Sequence, residues 1–598
     1  MPTIPLNILP GIVTETTAKD ATPQWKDCNR IMFRNGMPES MNGWRKDNTT
    51  ILSGKCRALN NWVTLAQDKL IGIGSSKKLY IWRGGAYYDI TPLRDSTSAP
   101  FSSSALTNPF DTTNLSTTVT VTHTAHGAGV GDTVIFSGAT AVGGITISGS
   151  YLVVTVPTAN TYTITHSAAA TSTANGGGTV SYDYEINIGL DINIALGGWG
   201  AGTWGAGTWG TPRTTSNIAA AARIWHLDQW GEDLVGNIRE GAIYTWDATN
   251  GLTTRAILIS GAPATARLII VSPEDRRMIA FGAHDGAAND PLLIRWSTSE
   301  DFTQFTPLDT NTAGDKRIDR GTEIVGAVRT RGQILILTDV AAHSMYPSND
   351  DFIFGFDILA EGCGLIAPHA LAEDNGITYW MGVKDIFMFD GIVQKMDCSI
   401  NNHIFDDINL FQKSLFHVKT NRTQNEVIGF YCSASSSEID RYWKYNITEK
   451  TWDYGNIDVT TWVDISEGGG LTVPYAVHTD QYLYQHESGY DAGDEAMGSF
   501  IESHDVMLDE QGGFAHIKKW IPDFKTLIGT VDFTVKTKTY PQDENYRIKG
   551  PRTVTSTTQR IGLRARGRQV ALRIESNNQG DKWRMGKMQA QAIKSGRR

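Results

Sequence analysis

The sequence predicts an all-β protein: a β-propeller-like core of six or seven blades, a small inserted β-barrel or sandwich domain, and a C-terminal β-sandwich-like domain. Three observations support this fold class. A chain of 598 residues is too long for one hydrophobic core. Charged residues make up only 19 % while glycine reaches 60 residues, a balance typical of turn-rich β proteins. Strand-like segments that end in an aromatic residue also recur at a nearly constant spacing.

The recurring unit is a pair of apolar strands joined by a short turn, as in residues 69–74 followed by 78–82. After one long first interval, the intervals between units lie near the ~40–50-residue period of propeller blades. A four-stranded blade cannot bury both faces alone, so blades pack against one another. We therefore predict a propeller-like core over 51–112 and 183–495, with another kind of large antiparallel β protein as the alternative. One aromatic residue marks the second strand of each pair: Trp82, Trp246, Trp296, Tyr346, Phe389, Trp443 and Tyr484.

The long first interval contains a separate module. Four alternating segments, which begin at Val119, Gly131, Gly149 and Asn160, are separated by Gly, Asp and Asn turns. This pattern predicts a small β-barrel or sandwich of ~60 residues, placed at 113–182. The rest of the interval has room for about two blades, or for one blade and a long loop.

The chain beyond residue 496 differs in pattern and in charge. Long alternating strands predict a β-sandwich-like domain over 496–598. The net charge of the whole chain is −10, but its last part, from residue 550 onward, is strongly basic. Arg564, Arg566 and Arg568 alternate with small residues on a predicted strand and therefore share one face. We predict that this face docks onto an acidic neighbour; contact with DNA phosphates and an ordinary solvated face are the alternatives.

A glycine-rich stretch at 198–212 carries Trp199, Trp204 and Trp209 at a period of five. It contains the pattern GxGxxG twice, but a dinucleotide site needs that pattern between a strand and a helix with an acidic residue further on. We hypothesise that the three tryptophans form a gate in a channel. The alternative is a structural loop held in place by tryptophan burial.

No catalytic, cofactor or metal-binding constellation is predicted. The five cysteines are scattered and never in CxxC spacing, which predicts no zinc site, no disulfide framework and folding in a reducing cytoplasm. His123 and His126 would point to opposite faces of a strand, and we expect both at the surface. Nucleophile-elbow, zincin and Walker A motifs do not occur, and no apolar run is long enough to predict a membrane helix.

The segment from residue 5 to residue 44 carries the most specific pattern in the chain. It has a Pro-Gly-Ile start, a Trp followed by an Asp, an aromatic-Arg-Asn-Gly turn and a Gly-Trp pair, in that order. The residues are Pro10, Gly11, Ile12, Trp25, Asp27, Phe33, Arg34, Asn35, Gly36, Gly43 and Trp44. This pattern resembles the tail nozzle family of short-tailed bacteriophages, also called tail tubular or packaged-DNA stabilisation proteins. The stretches 564–576 and 583–586 resemble the C-terminal region of the same family.

The resemblance implies a virion structural protein and no enzyme. It would form a homo-hexameric ring below the portal and adaptor, with tail fibres as neighbours. Packaged DNA would be retained and then passed through the lumen without sequence-specific contact. Assembly would take place in the bacterial cytoplasm, and residues 1–50 are expected to form an arm that reaches a neighbour. The alternatives are a tail-associated β-propeller glycan depolymerase and a receptor-binding tail module.

Overall fold

The computed structural model describes residues 3–15, 23–94, 105–195, 219–272, 274–348, 353–468, 471–507 and 513–594. Nearly all regular structure in these ranges is β-strand, which confirms the predicted fold class. The chain divides into two compact units: unit 1 comprises Met1–Leu52 and Ile318–Arg598, and unit 2 comprises Ser53–Arg317. The helical segments of the described residues are short: Ala248–Asn250 and Leu410–Leu415 are 3-10 turns, and Asn401–Asp406 is an α-helix.

Unit 2 contains three blades, each a four-stranded antiparallel sheet in which every strand pairs with the next one along the chain. The strands of these sheets are, for blade 1, Cys56–Val63, Lys69–Ser75, Leu79–Arg83 and Ala86–Asp89; for blade 2, Trp225–Trp230, Asp233–Ile238, Ile243–Trp246 and Ile257–Leu258; for blade 3, Leu268–Ser272, Arg277–Phe281, Leu293–Trp296 and Gly314–Arg317.

Unit 1 contains four further blades, three with the same meander and a fourth that takes its last strand from the N-terminal segment. The strands of these sheets are, for blade 4, Ile324–Thr330, Gln333–Thr338, Ala341–Pro347 and Phe354–Glu361; for blade 5, Leu371–Asp374, Ile377–Met381, Ile386–Phe389 and Val393–Lys395; for blade 6, His417–Asn421, Glu426–Tyr431, Arg441–Asn446 and Thr451–Asn456; for blade 7, Val459–Gly468, Leu471–His478, Leu483–His486 and, from the N-terminal segment, Trp44–Lys46.

The aromatic series of the sequence falls on the third strand of each of the seven blades. Six of its members are buried, and only Tyr346 reaches 36 % exposure. The third strand has a neighbour on both edges and is therefore the place in a blade where a large ring is most easily covered. The long first interval, from Trp82 to Trp246, joins blade 1 directly to blade 2, so it holds the inserted domain and a connecting segment but no additional blade among the described residues.

The fourth strand of blade 7 comes from the other end of the sequence. Trp44 pairs with His486 and Lys46 with Tyr484 in antiparallel register. The first three strands of this sheet have no fourth partner in their own stretch of chain, and the Gly-Trp segment supplies it. The described part of 1–50 is thus built into the fold, which corrects the expectation of a separate arm.

Trp44 packs against a pair of buried histidines in blade 7. His478 Nε2 and His486 Nε2 lie 2.9 Å apart, and His478 Nδ1 lies 2.9 Å from Asp458 Oδ1. The indole of Trp44 stacks on His486 at 5.1 Å between ring centres. With Asp458 ionised, His478 donates from Nδ1 and its Nε2 accepts a hydrogen bond from His486.

The N-terminal segment also completes the C-terminal domain, which is made of three sheets rather than of residues 496–598 alone. The apolar side chains of Trp25, Ile31 and Phe33 on these N-terminal strands are buried. The first sheet contains Thr3–Pro5, Gln589–Lys594, Ala515–Ile521 and Ala565–Gly567; the second Trp25–Asn29, Ser499–Ser503, Gln569–Ser576, Thr530–Lys538, Arg547–Thr555 and Val506–Met507; the third Ile31–Arg34, Met37–Ser40, Lys582–Met585 and Phe524–Ile528.

The inserted domain is a sandwich of two sheets with its own core, in which Phe110 and Phe136 meet edge to face at 5.1 Å. It begins earlier than the predicted residue 113 because Phe110 belongs to this core. One sheet contains Ala105–Thr107, Thr179–Tyr184, Thr133–Ser137 and Gly149–Leu152; the other Thr155–Thr158, Thr161–Thr165, Thr118–Thr122, Phe110–Thr112 and Ala174–Gly176; Ile194–Ala195 and Ala219–Ala220 form a separate short pair.

Candidate functional site

The three arginines of the predicted docking face lie on one side of the short strand Ala565–Gly567 and its flanks. Arg564 and Arg566 are exposed and Arg568 is half-buried, while the small residues between them are buried. This alternation of exposed and buried residues is the pattern that a shared face requires. The role of the three arginines in docking stays a prediction.

Two aromatic rings lie against two of these arginines, Arg566 and Arg568. The guanidinium carbons of Arg566 and Arg568 lie 4.8 and 5.0 Å from the centre of the Phe514 ring, and that of Arg568 lies 5.1 Å from the Tyr540 ring. A guanidinium that lies over a ring keeps its charge while its side chain loses freedom. The positive charge of this face is therefore held in place before any partner arrives.

A second basic segment of the C-terminal domain is the strand Arg547–Thr555. Its first seven residues are all exposed, and they include Arg547, Lys549 and Arg552. Within the described chain its pairing partner is Thr530–Lys538, so one edge carries unpaired backbone groups. The arginines of the docking face and this strand together form what we call the basic edge of the C-terminal domain.

The residues that carry the family resemblance lie at joints of unit 1. Asn35 and Gly36 have φ values of 50° and 71°, as a two-residue hairpin turn requires. A Cβ on Gly43 would lie 2.3 Å from the carbonyl oxygen of Asp491, so a side chain at this position would clash with backbone. The next residue, Trp44, starts the strand that completes blade 7. The local structure at these joints therefore requires the residue types that form the pattern.

Blade 6 contains a buried ion cluster next to this hairpin. Lys444 Nζ lies 3.2 Å from Glu426 Oε1 and 3.6 Å from Asp453 Oδ2, and all three side chains are at most 3 % exposed. Burial raises the pKa of Glu426 and of Asp453, and the ammonium of Lys444 opposes that shift. One ammonium between two buried carboxyl groups favours retention of a proton on one of them.

A second buried ion pair joins the hairpin to the C-terminal domain. Lys582 Nζ lies 3.0 Å from Glu39 Oε1 and donates a hydrogen bond to Asn42 Oδ1 at 2.9 Å. Burial lowers the pKa of Lys582, and Glu39 opposes the shift. The pair of Lys582 and Glu39 thus holds the hairpin against the strand Lys582–Met585. The contacts with blade 6 are a hydrogen bond from Arg34 to Gln424 and one from the backbone N–H of Gly36 to Glu449.

Between the hairpin and blade 6 lies a cleft of about 570 Å³, which we call the amide cleft. No sequence pattern predicted it, because its walls come from segments almost 400 residues apart in the chain. Its one visible signal was the Arg-Asn-Gly turn. Five carboxamide side chains line the cleft: Asn35, Asn42, Gln424, Asn425 and Asn446.

The expectation of surface histidines is wrong for His123 and His126, which are 4 % and 1 % exposed. The strand ends at Thr122, and Ala125 adopts a φ of 53°, so the chain turns back and places both rings inside the inserted domain. His123 Nδ1 lies 2.9 Å from the Tyr184 hydroxyl.

Three further expectations concern the tryptophan gate, metal binding and membrane helices. Trp199, Trp204 and Trp209 lie outside the described residues, and their proposed gate stays a hypothesis. Among the residues that the structure does describe, no group of three or more His, Cys, Asp or Glu side chains is arranged to hold a metal ion. In the same ranges, no helix is both long and apolar enough to cross a membrane.

No family model and no curated protein matches this chain. Similar solved structures include BBS1N in complex with ARL6DN (10 % identity, 76 % of this chain and 98 % of that chain, TM-score 0.26). The phage phi92 endosialidase matches at 15 % identity over 75 % of this chain and 65 % of its own, with a TM-score of 0.18. The extracellular domain of a hybrid two-component system from B. thetaiotaomicron matches at 9 % identity over 89 % and 72 %, with a TM-score of 0.27.

Proposed function

We propose that this chain is a virion structural protein, the tail nozzle subunit of a short-tailed bacteriophage. The observation that carries the proposal is the position of the family-typical residues between 10 and 44. They turn the hairpin and supply the fourth strand of blade 7, and the apolar members Ile12, Trp25, Phe33 and Trp44 are buried. A pattern of residues that the fold itself requires is a more specific marker of this family than a pattern of surface residues.

In this proposal the protein acts passively. Six copies surround a lumen, retain packaged DNA and pass it during ejection without sequence-specific contact. The acidic remainder of the chain repels phosphates and limits DNA adhesion. No catalytic step is part of the proposal.

The basic edge is the docking surface in this proposal, with an acidic neighbour such as the tail adaptor or another subunit as partner. Opposite charges on two surfaces accelerate their encounter and fix their orientation more than they raise affinity. The stacked arginines suit this role because Phe514 and Tyr540 already restrict them.

Native mass spectrometry of the purified full chain tests the proposal. We expect particles that contain six chains of 65.5 kDa. A stable trimer would favour the receptor-binding module instead, and a monomer at all accessible concentrations would contradict the nozzle. A polysaccharide cleavage assay on the same sample tests the alternative that the protein is a glycan depolymerase.

Charge reversal at the basic edge gives a second test. Arg566→Glu should reduce the share of six-chain particles or the capture of the adaptor. Lys316→Glu is the matched control, because Lys316 is an exposed cation on the fourth strand of blade 3. Equal behaviour of the two variants would remove the docking role from Arg566.

A further inference from the structure

The amide cleft of unit 1 has the size of a small-molecule site but an unusual lining. Ligand pockets are commonly ~300–1,000 Å³ and mainly apolar. This cleft has about 570 Å³, and its apolar lining is limited to Met32 and Phe33, which are 3 % and 2 % exposed. An apolar ligand would strip water from the polar walls without replacing their hydrogen bonds, which is unfavourable.

Part of the polar lining is fixed by internal hydrogen bonds. Glu487 accepts from Asn42 Nδ2 and from Gln424 Nε2 at 2.5 and 2.7 Å. Gln424 Oε1 in turn accepts a hydrogen bond from Arg34. These groups form a rigid wall whose hydrogen-bonding capacity is already used, so they shape the cleft more than they bind.

Three other carboxamides are available for a ligand. Asn35 and Asn425 are exposed at the rim, and no side-chain hydrogen bond of either lies within the described parts of the chain. Asn446 is 7 % exposed; its Oδ1 accepts from the backbone N–H of Glu449 at 2.8 Å, which leaves its Nδ2 to face the cleft. Each carboxamide offers donors beside an acceptor, the combination that neighbouring hydroxyl groups require.

The charges of the cleft do not favour anions. The carboxyl groups of Glu426 and Glu449 line it beside the single guanidinium of Arg34, and Glu426 is paired with Lys444. A phosphate, a nucleic acid or an acidic sugar would therefore find no surplus of positive charge. The lining therefore favours a ligand that is rich in hydroxyl groups and carries no negative charge.

We infer that the amide cleft binds a neutral saccharide, with Asn35, Asn425 and Asn446 as its hydrogen-bonding residues. The inference rests on the cleft and does not depend on the proposed nozzle function. A saccharide site would give this chain a direct contact with glycans, whether free sugars or a polysaccharide.

Saturation-transfer NMR with the full chain tests the inference. The probes are glucose, N-acetylglucosamine, maltohexaose, N-acetylneuraminic acid and ethanolamine, each at about 10 mM, a concentration that detects millimolar affinity. We expect signals from one or more neutral sugars and none from the acidic sugar. A stronger signal from maltohexaose than from glucose would indicate that the ligand is a polysaccharide and not a free sugar. Binding of ethanolamine alone would replace the saccharide with a cation, and the absence of any neutral-sugar signal would overturn the inference.

Variants locate the binding. Asn425→Gly removes a carboxamide but tolerates the φ of 57° at this position, and it should weaken sugar binding about tenfold. Asn375→Gly is the control, because Asn375 has a φ of 52° in the turn between the first two strands of blade 5 and lies away from the cleft lining. Circular dichroism confirms that both variants fold. Equal affinity of the two would contradict the assigned site.

Discussion

At the scale of residues, the histidine pair of blade 7 is sensitive to acid. Burial lowers the pKa of His486 well below its usual value, and His478 adds to the shift. Burial alone would raise the pKa of Asp458, but hydrogen bonds from His478 and Thr479 lower it. Protonation of His486 would place a positive charge in a fully buried site, which burial disfavours.

The expected result is loss of stability in mild acid. Because the folded state lowers the pKa of His486, its contribution is complete above the unfolded value of ~6.5 and falls as the pH drops toward the folded value. One such proton changes the free energy of unfolding by at most about 1.4 kcal/mol per pH unit. Urea unfolding between pH 7.5 and 5 measures this slope.

The comparison of two variants assigns the slope. His486→Gln should flatten the pH dependence between pH 7.5 and 5, while His166→Gln in the inserted domain should leave it unchanged. The charged groups that face the pair are Asp458 and, through Trp44, Arg30, whose guanidinium lies 5.4 Å from that ring. A slope that survives in His486→Gln would have to come from other groups, such as His343 and His403, whose pKa values burial also lowers, or Asp464, whose pKa burial raises to about 6.

The buried lysine of blade 6 gives a second residue-scale prediction. Lys444→Met leaves Glu426 and Asp453 without their shared cation and should lower the free energy of unfolding by about 3–5 kcal/mol. The triple variant Glu426→Gln, Lys444→Met, Asp453→Asn should regain much of that loss. Denaturant midpoints measure both, and a single variant as stable as the wild type would contradict the cluster geometry.

Sequence alone predicted some of these residues and not others. The alternation of Arg564, Arg566 and Arg568 is a local property of one strand, so their common face could be predicted. Lys444 and Glu426 are 18 residues apart and meet only because their strands pair. The amide cleft depends on contacts such as Arg34 with Gln424, 390 residues apart, which no local pattern contains.

At the scale of elements, Gly43 is the tightest joint of the N-terminal segment. Gly43→Ala would push a methyl group against the backbone of Asp491 and should destabilise unit 1 by about 1–3 kcal/mol. Gly562→Ala is the matched control, because a Cβ there meets nothing within 4 Å and neither glycine has a positive φ. Thermal unfolding of the two variants measures the difference. Similar melting temperatures would show that the strand shifts without penalty.

The blades were predictable as elements because each is a local meander whose third strand carries a large ring. The fourth strand of blade 7 was not, since strand pairing across more than 400 residues leaves no period in the sequence. The same limit explains why residues 1–50 were expected as an arm. The strands of this segment are short and have no partner nearby in the sequence, because their partners, Ser499–Ser503 and Lys582–Met585, come much later in the chain.

At the scale of the whole molecule, the uneven charge predicts salt-sensitive assembly. If the basic edge docks onto acidic surfaces, the six-chain particle should dissociate more readily as ionic strength rises, since the Debye length falls from ~10 Å at 0.1 M to ~3 Å at 1 M. Sedimentation velocity at both salt concentrations measures this. Arg566→Glu should shift dissociation to lower salt, and Lys316→Glu should not. Assembly that strengthens with salt would point to an apolar interface instead.

The origin of the last strand of blade 7 also governs when this blade can finish folding during synthesis of the chain. Residues 44–46 leave the ribosome early, but their partner Leu483–His486 is made some 440 residues later. At ~5–20 residues per second, the early strand waits about 20–90 s without its sheet. Any nascent chain released before that point keeps an unpaired strand and an incomplete blade. The unpaired strand is then the feature by which a chaperone or protease can distinguish unfinished chains from finished ones.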